Sequence, residues 1–493
     1  MKKLGVILII IGITVLFVAV ILFTLHPQGV SAKFWFVKFK FHNVSNGIYT
    51  GANLIFLGLF LMLLDKGGLD VKKFTIVFFL TTTILKLLRY DFYMSTGYDL
   101  GNYSSILFNI HEYGRLWDSL NQVNGFYGHI RPSLFLLSTV LYIWKDPRIL
   151  LILQGLAISS TIPAIYLLAR FYKIDKLTSS YLILLFASNI YVHWVNGFDF
   201  HLETFAMPLI PLGIYFLEKE KVYHFLLILI LTLSFKEDIS LGWISIGLFY
   251  FLIKKDQRKA WIIFVPTLVY SLLALILMLK FSNTELMREA HYNGAILSHK
   301  KISSLISFFA SFGFIPIMFP KGMIAYILPL GEHLFSSRPQ NFMLYYQYSA
   351  ILIPIVFWVM IELFSSRKRL NNVKYFVALG IAFSFLKNPV ARYIDISKIN
   401  ISKKLYLDNL IRSLPESAII SAGNHISPHL AMRPHVTQFP RIDDAEYILI
   451  DTTWHDFTPI SGDSAIKLLK VLKFDYKRIP TKEGILVLKK DSP

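Results

Sequence analysis

The stretch Asn196–Pro208, NGFDFHLETFAMP, places Asp199, His201 and Glu203 within five residues. If extended, it sets all three on one face and Phe200 and Leu202 on the other, because side chains alternate along a strand. Carboxylates and an imidazole sharing a face suit proton transfer, and mixed His and carboxylate donors suit several divalent cations. The competing reading is a solvated cap for the helix that starts near Phe205. Three ionisable groups at period two exceed what a cap requires. A second cluster lies in and just after the loop 89–130: Asp91, Asp99, His111, Glu112, Arg115, Asp118, His129 and Arg131. Asp99, in YDLGNYSSIL, also reads as the N-cap of an amphipathic helix. A third cluster is KED, Lys236 to Asp238, and a fourth is the loop 281–302 with Glu285, Arg288, Glu289, His291 and Tyr292.

The elements that must position these clusters are apolar. Hydrophobic residues make up 55% of the 493-residue chain and charged ones 16%, against about 25% charged in a soluble domain. The excess comes in blocks of roughly 15–23 residues, the length of a membrane-crossing helix. LGVILIIIGITVLFVAVILFTL, Leu4 to Leu25, is the clearest; no small-residue cleavage site follows it, so it reads as a retained helix. Helices are expected near 4–25, 47–64, 73–88, 149–171, 178–195, 204–217, 222–235, 239–253, 260–280, 303–319, 323–335, 342–364 and 374–387, about 13 spans in all. Arg131–Trp144 is apolar but too short to cross, and reads as interfacial. The chain has no cysteine, which excludes disulfides and thiolate chemistry. Its +19 net charge is read as membrane-orienting bias and not as a nucleic-acid surface.

Loop charge sets the orientation. With a cytoplasmic N-terminus and a non-crossing 131–144, the turns DKGGLDVKK, RFYKIDK, EKEK, KKDQRK, FPKG and SSRKRLNNVK all fall inside. There roughly one residue in three is Lys or Arg, against about one in ten outside. All four ionisable clusters then face outward, while helix interiors are nearly free of charge; Lys86 and Glu362, near helix ends, are expected to snorkel. An ion-coupled transporter would place such groups at the bilayer midplane. Their collection at one interface favours an enzyme working where lipid meets water. After Leu386 short strands alternate with helices at ordinary charge, as expected of a small α/β domain. The expected division is 1–88, N-terminal transmembrane helices; 89–148, a large outer loop with interfacial helices; 149–387, transmembrane core; and 388–493, a soluble extracytoplasmic α/β domain.

Several blocks, in order, carry a resemblance: YDLGNYSSILFN, GHIRPSLFLLSTVLYIWKDPRILLILQGLAISSTIPAIYLLAR, FDFHLETFAMPLIPLGIY, SFKEDISL, YYQYSAILIPIVFW and SPHLAMRPHVTQFP. Together they resemble an uncharacterised prokaryotic membrane-protein family, domain of unknown function 2079. That family in turn looks like the GT-C class of polytopic glycosyltransferases that use polyprenyl-phosphate sugars. The resemblance implies an all-α polytopic membrane protein with a C-terminal outer α/β domain, and transfer of a sugar from a polyprenyl-phosphate donor to an acceptor on the outer face.

By the same resemblance Asp99 stands at the position of the loop carboxylate, taken as the base, and Asp199 to Glu203 at the later acidic motif. Glu203 is a second catalytic candidate, and Asp199 and His201 would contact the sugar. A divalent cation would be held, if at all, by Asp99, Asp199, His201 and Glu203. Arg131, Lys236, Arg288 and Arg338 are candidates for the phosphate charge, and His129 for a head group. The chain departs from the pattern in FHLE, where Pro would follow the His, and in Asn102 and Tyr103 after DLG. The competing readings are a transporter or flippase of lipid-linked glycans and a non-catalytic envelope scaffold. His425, His429, Arg433 and His435 are expected only to pack the outer domain against the membrane part.

Overall fold

In the computed structural model, the structure describes residues 2–25, 30–34, 37–41, 45–62, 64–65, 68–281, 298–366, 373–454, 456, 461–472 and 475–491. The apolar blocks fold as helices, since in hydrocarbon every backbone polar group must be satisfied within its own segment. Three described helices are long and apolar enough to cross a membrane: Lys3–Val20, Arg148–Phe171 and Gln257–Phe281. A fourth forms if Pro339–Ser349 and Leu352–Ser366, bent by 74°, are taken as one span. Most of the other expected spans are shorter helices, and the breaks have physical causes. The run expected at 178–195 divides into Lys176–Ser188 and Ile190–Gly197. Asn189 is extended there, and its side chain accepts from Tyr191 N at 2.9 Å to cap the second helix. Its amide donates to the Ser311 carbonyl and hydroxyl. The run expected at 303–319 ends at Ser311. Gly313 turns away there with φ +62, where an added Cβ would lie 1.9 Å from the Phe376 carbonyl. Arg131–Trp144 forms only the short helix Ser133–Ser138 and a 3-10 turn, too short to cross, as expected.

Residues 401–491 build one five-stranded sheet with two helices, Ile401–Ser413 and Gly462–Leu472. Its strands are β1 (Ile420–Ala422), β2 (Val436–Gln438), β3 (Tyr447–Asp451), β4 (Tyr476–Ile479) and β5 (Ile485–Lys490). The order is β4-β5-β3-β1-β2. β2, β1 and β3 run parallel, and β3, β5 and β4 antiparallel. The central β1 and most of β3 are buried, as a strand covered on both faces must be. This domain is bound to the segment that follows helix Val71–Asp91. His429 stacks between Tyr90 and Tyr93, with ring centroids 4.1 and 3.9 Å away, and Tyr93 donates to Asp408 at 2.8 Å.

Helix Ala206–Glu218 has ionic clusters at both ends. Beyond its C-terminus Lys254 bridges Glu218 at 2.6 Å, Tyr172 donates to Glu362, and Lys259 pairs with Glu218. Lys254 also pairs with Glu362, so five helix ends are tied together and Glu362 is paired rather than snorkelling. Lys86 departs further from expectation. It is 1% exposed on helix Val71–Asp91, its Nζ has no hydrogen-bond partner among the described residues, and it lies within electrostatic reach of Asp199. It points into the bundle.

Candidate active site

At the other end of helix Ala206–Glu218 the chain leaves the helix Ile190–Gly197 and runs extended to His201, then turns through the 3-10 segment Leu202–Phe205. Phe200 and Leu202 enter the apolar core, as alternation requires. The polar members are not a solvated cap: Asp199, His201 and Glu203 are 1%, 6% and 3% exposed. Each has gone to a different partner.

Asp199 holds the loop after Asp91. Its Oδ2 accepts from Thr96 N and from Thr96 Oγ1, both at 2.7 Å, and Arg89 Nε stands 3.5 Å from its Oδ1. Thr96 Oγ1 also lies 3.2 Å from Asp99 Oδ2, so the hydroxyl stands between two carboxylates. Asp99 sits in the π-turn Gly97–Gly101, which leads into helix Asn102–Tyr113. The C-terminal domain holds this turn by its backbone: Gly97 N donates to the Asn424 carbonyl at 2.8 Å and to its side-chain oxygen at 2.9 Å. A Cβ at Gly97 would stand 2.1 Å from Ser427 Oγ and 2.2 Å from Gln438 Oε1. Gly97→Ala is therefore expected to push the turn off the sheet, at about 1–3 kcal/mol for overpacking. Faster amide exchange over residues 95–99 is the check, and wild-type exchange there would contradict it.

His201 links the two halves of the site. Its Nε2 is 3.2 Å from Asp99 Oδ1 and its Nδ1 3.8 Å from Glu203 Oε2, close but off hydrogen-bond alignment. Phe198 stacks on the ring at 5.6 Å, and Tyr103 meets it edge-on at 5.8 Å. Glu203 Oε1 accepts from Lys236 Nζ at 2.9 Å, and Lys236 also binds Asp238 at 2.6 Å. Burial opposes charge on Glu203, but the Lys236 ammonium and the His201 imidazole outweigh it and hold the carboxyl at about 2. Beside this row, Glu237 takes His129 Nδ1 at 2.6 Å and Ile130 N at 2.9 Å. Arg131 lies over the Tyr103 ring, 5.0 Å from its centroid.

The structure thus brings Asp99, Asp199, His201, Glu203, His129, Arg131 and Lys236 into one neighbourhood, with two changes of role. Lys236 is buried between two carboxylates and is not an open phosphate ligand. Asp199 is engaged by Thr96 and Arg89. Arg288 lies outside the described residues. No three His, Asp or Glu side chains among the described residues converge as metal ligands, since the four expected donors are drawn into separate pairs. As arranged they do not fit a divalent cation. Glu237 and Asp238 enter the site as members of the KED cluster, whereas Arg89, Thr96 and Tyr103 belong to it with no spacing signal in the sequence.

This geometry sits in a fold already known. The chain shares its fold with ArnT from Cupriavidus metallidurans in a crystal structure bound to undecaprenyl phosphate, at TM-score 0.51 and 10% identity over 84% of this chain and 98% of that one. The apo crystal structure of the same ArnT aligns at TM-score 0.49 and 12% identity, over 85% and 98%. Identities this low speak to fold alone. No curated protein matches the chain. The family described as "Predicted membrane protein (DUF2079)" matches residues 89–295 and 290–487, most of the chain including every site residue named above. The chain is a membrane protein and belongs to the DUF2079 family.

Proposed function

We propose that the chain is an integral membrane glycosyltransferase, moving a sugar from a polyprenyl-phosphate donor to an acceptor hydroxyl on the outer face. The observation that carries this reading is the Asp99–His201 contact. Asp99, with a side chain 24% exposed, is the open carboxylate of the row, and it is held against a buried imidazole. In the proposed displacement Asp99 takes the proton of the acceptor hydroxyl. That oxygen then bonds to the anomeric carbon while the bond from this carbon to the phosphate oxygen breaks. The lipid phosphate departs with the electron pair, and its charge falls to Arg131, whose guanidinium fork suits phosphate oxygens. His201 orients Asp99, and the buried Glu203–Lys236 pair sets the potential around the imidazole. ArnT's printed ligand, undecaprenyl phosphate, supports a lipid-phosphate partner.

The outer domain binds the loop that carries Asp99, so both belong on one side of the bilayer. We take that side as extracytoplasmic and the N-terminus as cytoplasmic, with residues 1–88 as an added transmembrane part. The transporter reading gains from one observation, Lys86 buried inside the bundle without a hydrogen-bond partner among the described residues, since buried ionisable groups in membrane helices mark ion and substrate paths. Purified protein with a labelled polyprenyl-phosphate sugar separates the two. Release of sugar onto an acceptor is expected, whereas movement across liposomes without bond cleavage would overturn the transferase.

A further inference from the structure

The N-terminal helices Lys2–Leu25 and Ser45–Met62 lie outside the family match, which begins at residue 89. They pack backbone to backbone. An added Cβ at Gly12 would stand 2.8 Å from the Gly51 carbonyl, and one at Gly51 2.7 Å from the Gly12 carbonyl. Close approach through small residues is how helices associate in lipid, whose tails are as apolar as the helices themselves. The second helix directs two buried polar side chains, Tyr49 and Asn53, at one segment of the chain. That segment is 388–396, which joins the helix Val373–Leu386 to the C-terminal domain. Asn53 Nδ2 donates to Asn388 Oδ1 at 2.6 Å, and its Oδ1 accepts from Val390 N at 3.2 Å. Tyr49 donates to the Ile394 carbonyl at 3.1 Å and accepts from Ile396 N at 2.9 Å. Each side chain donates and accepts at once, which offsets the cost of burying it.

The same segment also meets the helix Ile190–Gly197, from which the DFHLE stretch departs. Tyr393 Oη meets His193 Nδ1 at 2.9 Å, and the Arg392 guanidinium lies over the Trp194 ring, 4.3 Å from its centroid. A Cβ at Gly197 would stand 2.6 Å from the Arg392 carbonyl. From Trp194 the contact continues edge-on to Tyr346 at 5.3 Å, then to Phe198 at 4.3 Å, the ring that stacks on His201. Asp199, next in the chain, holds Thr96. One segment thus binds the added helices and the root of the site together, and chains of packed and hydrogen-bonded groups carry coupling between distant places. We infer that the N-terminal helix pair braces the site, with Tyr49 and Asn53 as positioning residues. They fix 388–396, and that segment sets where the end of helix Ile190–Gly197 delivers Asp199 and His201. The brace acts on this loop whatever the site does; its bearing on catalysis rests on the transferase reading.

The test makes Tyr49→Phe and Asn53→Leu, singly and together, in the full chain in detergent, and reads amide exchange residue by residue. Val390 and Ile396 report the brace, because Asn53 and Tyr49 receive their N–H groups. Thr96 reports the site, because Asp199 receives its N–H. In the double variant, exchange is expected to quicken by about threefold to tenfold at Val390, Ile396 and Thr96, the size of one lost hydrogen bond. Amides of strand β3 should keep wild-type rates. With a polyprenyl-phosphate sugar as donor, kcat is expected to fall by a similar factor while KM holds, because no binding contact is removed. Faster exchange at Val390 and Ile396 with Thr96 at wild type, or no change at any of them, overturns the brace. An unchanged kcat overturns the positioning role. If the double variant does not fold, Tyr49→Phe, one oxygen smaller, puts the same question at Ile396 and Thr96. A wild-type chain that transfers no sugar removes the transferase reading and leaves the amide result to decide the brace alone.

Discussion

Replacing Asp99 by Asn is expected to lower sugar transfer by about 10²–10⁴-fold, the usual contribution of a positioned general base, with little change in melting temperature. The asymmetry follows from where the carboxylates lie. Asp199 is buried and receives two short hydrogen bonds from Thr96, so its neutral amide would disturb the loop itself. Glu203 is locked to Lys236. Asp99 keeps an exposed edge, and its contacts, the Thr96 hydroxyl and His201 at 3.2 Å, are ones an amide of the same shape can approach. Transfer at the wild-type rate in this variant removes Asp99 as the base. A melting temperature that falls with activity makes it a strut.

The site was legible where chemistry follows from local spacing and hidden where it depends on distant pairing. The one-face reading of DFHLE rests on strand alternation, and Phe200 and Leu202 do enter the core. Nothing in that spacing tells that Thr96, over a hundred positions upstream, takes Asp199, or that Lys236 takes Glu203. Such choices depend on which loops the helices bring together. Lys236 therefore looked like an open cation, and Lys86 like a snorkelling one. The same limit governs the spans. Apolar length announced a helix at 178–195, but the capping bond from Tyr191 to Asn189 divides it, and side-chain caps compete with helix continuation at such residues. In the C-terminal domain, YILID and ILVLKK carry the apolar pattern of strands. VTQ and YKRI, short strands at the two edges of the sheet, do not.

The second large effect concerns stability. Lys236→Met removes the cation from a row in which Glu203 is buried and Asp238 is mostly so. Removing one member of a buried pair leaves an uncompensated charge and costs about 3–5 kcal/mol. The pH dependence gives the sign. Glu203 is held at about 2 in the folded chain, below its ordinary value near 4.3. Its pairing therefore contributes stability above that ordinary value, lost as pH falls toward 2. Without Lys236, burial outweighs the remaining His201 attraction and Glu203 takes up a proton more readily. The deficit of Lys236→Met should then be largest at neutral pH and shrink as the solution is acidified, the reverse of a simple packing defect. Glu203→Gln placed on top of Lys236→Met should restore part of the loss, because the orphaned charge is gone while Asp238 remains. Denaturation of the purified single and double variants at neutral and acidic pH measures all of this. A deficit independent of pH, or a double variant worse than the sum of the singles, would mean that the row is held by shape and that the Lys236 charge does not govern Glu203.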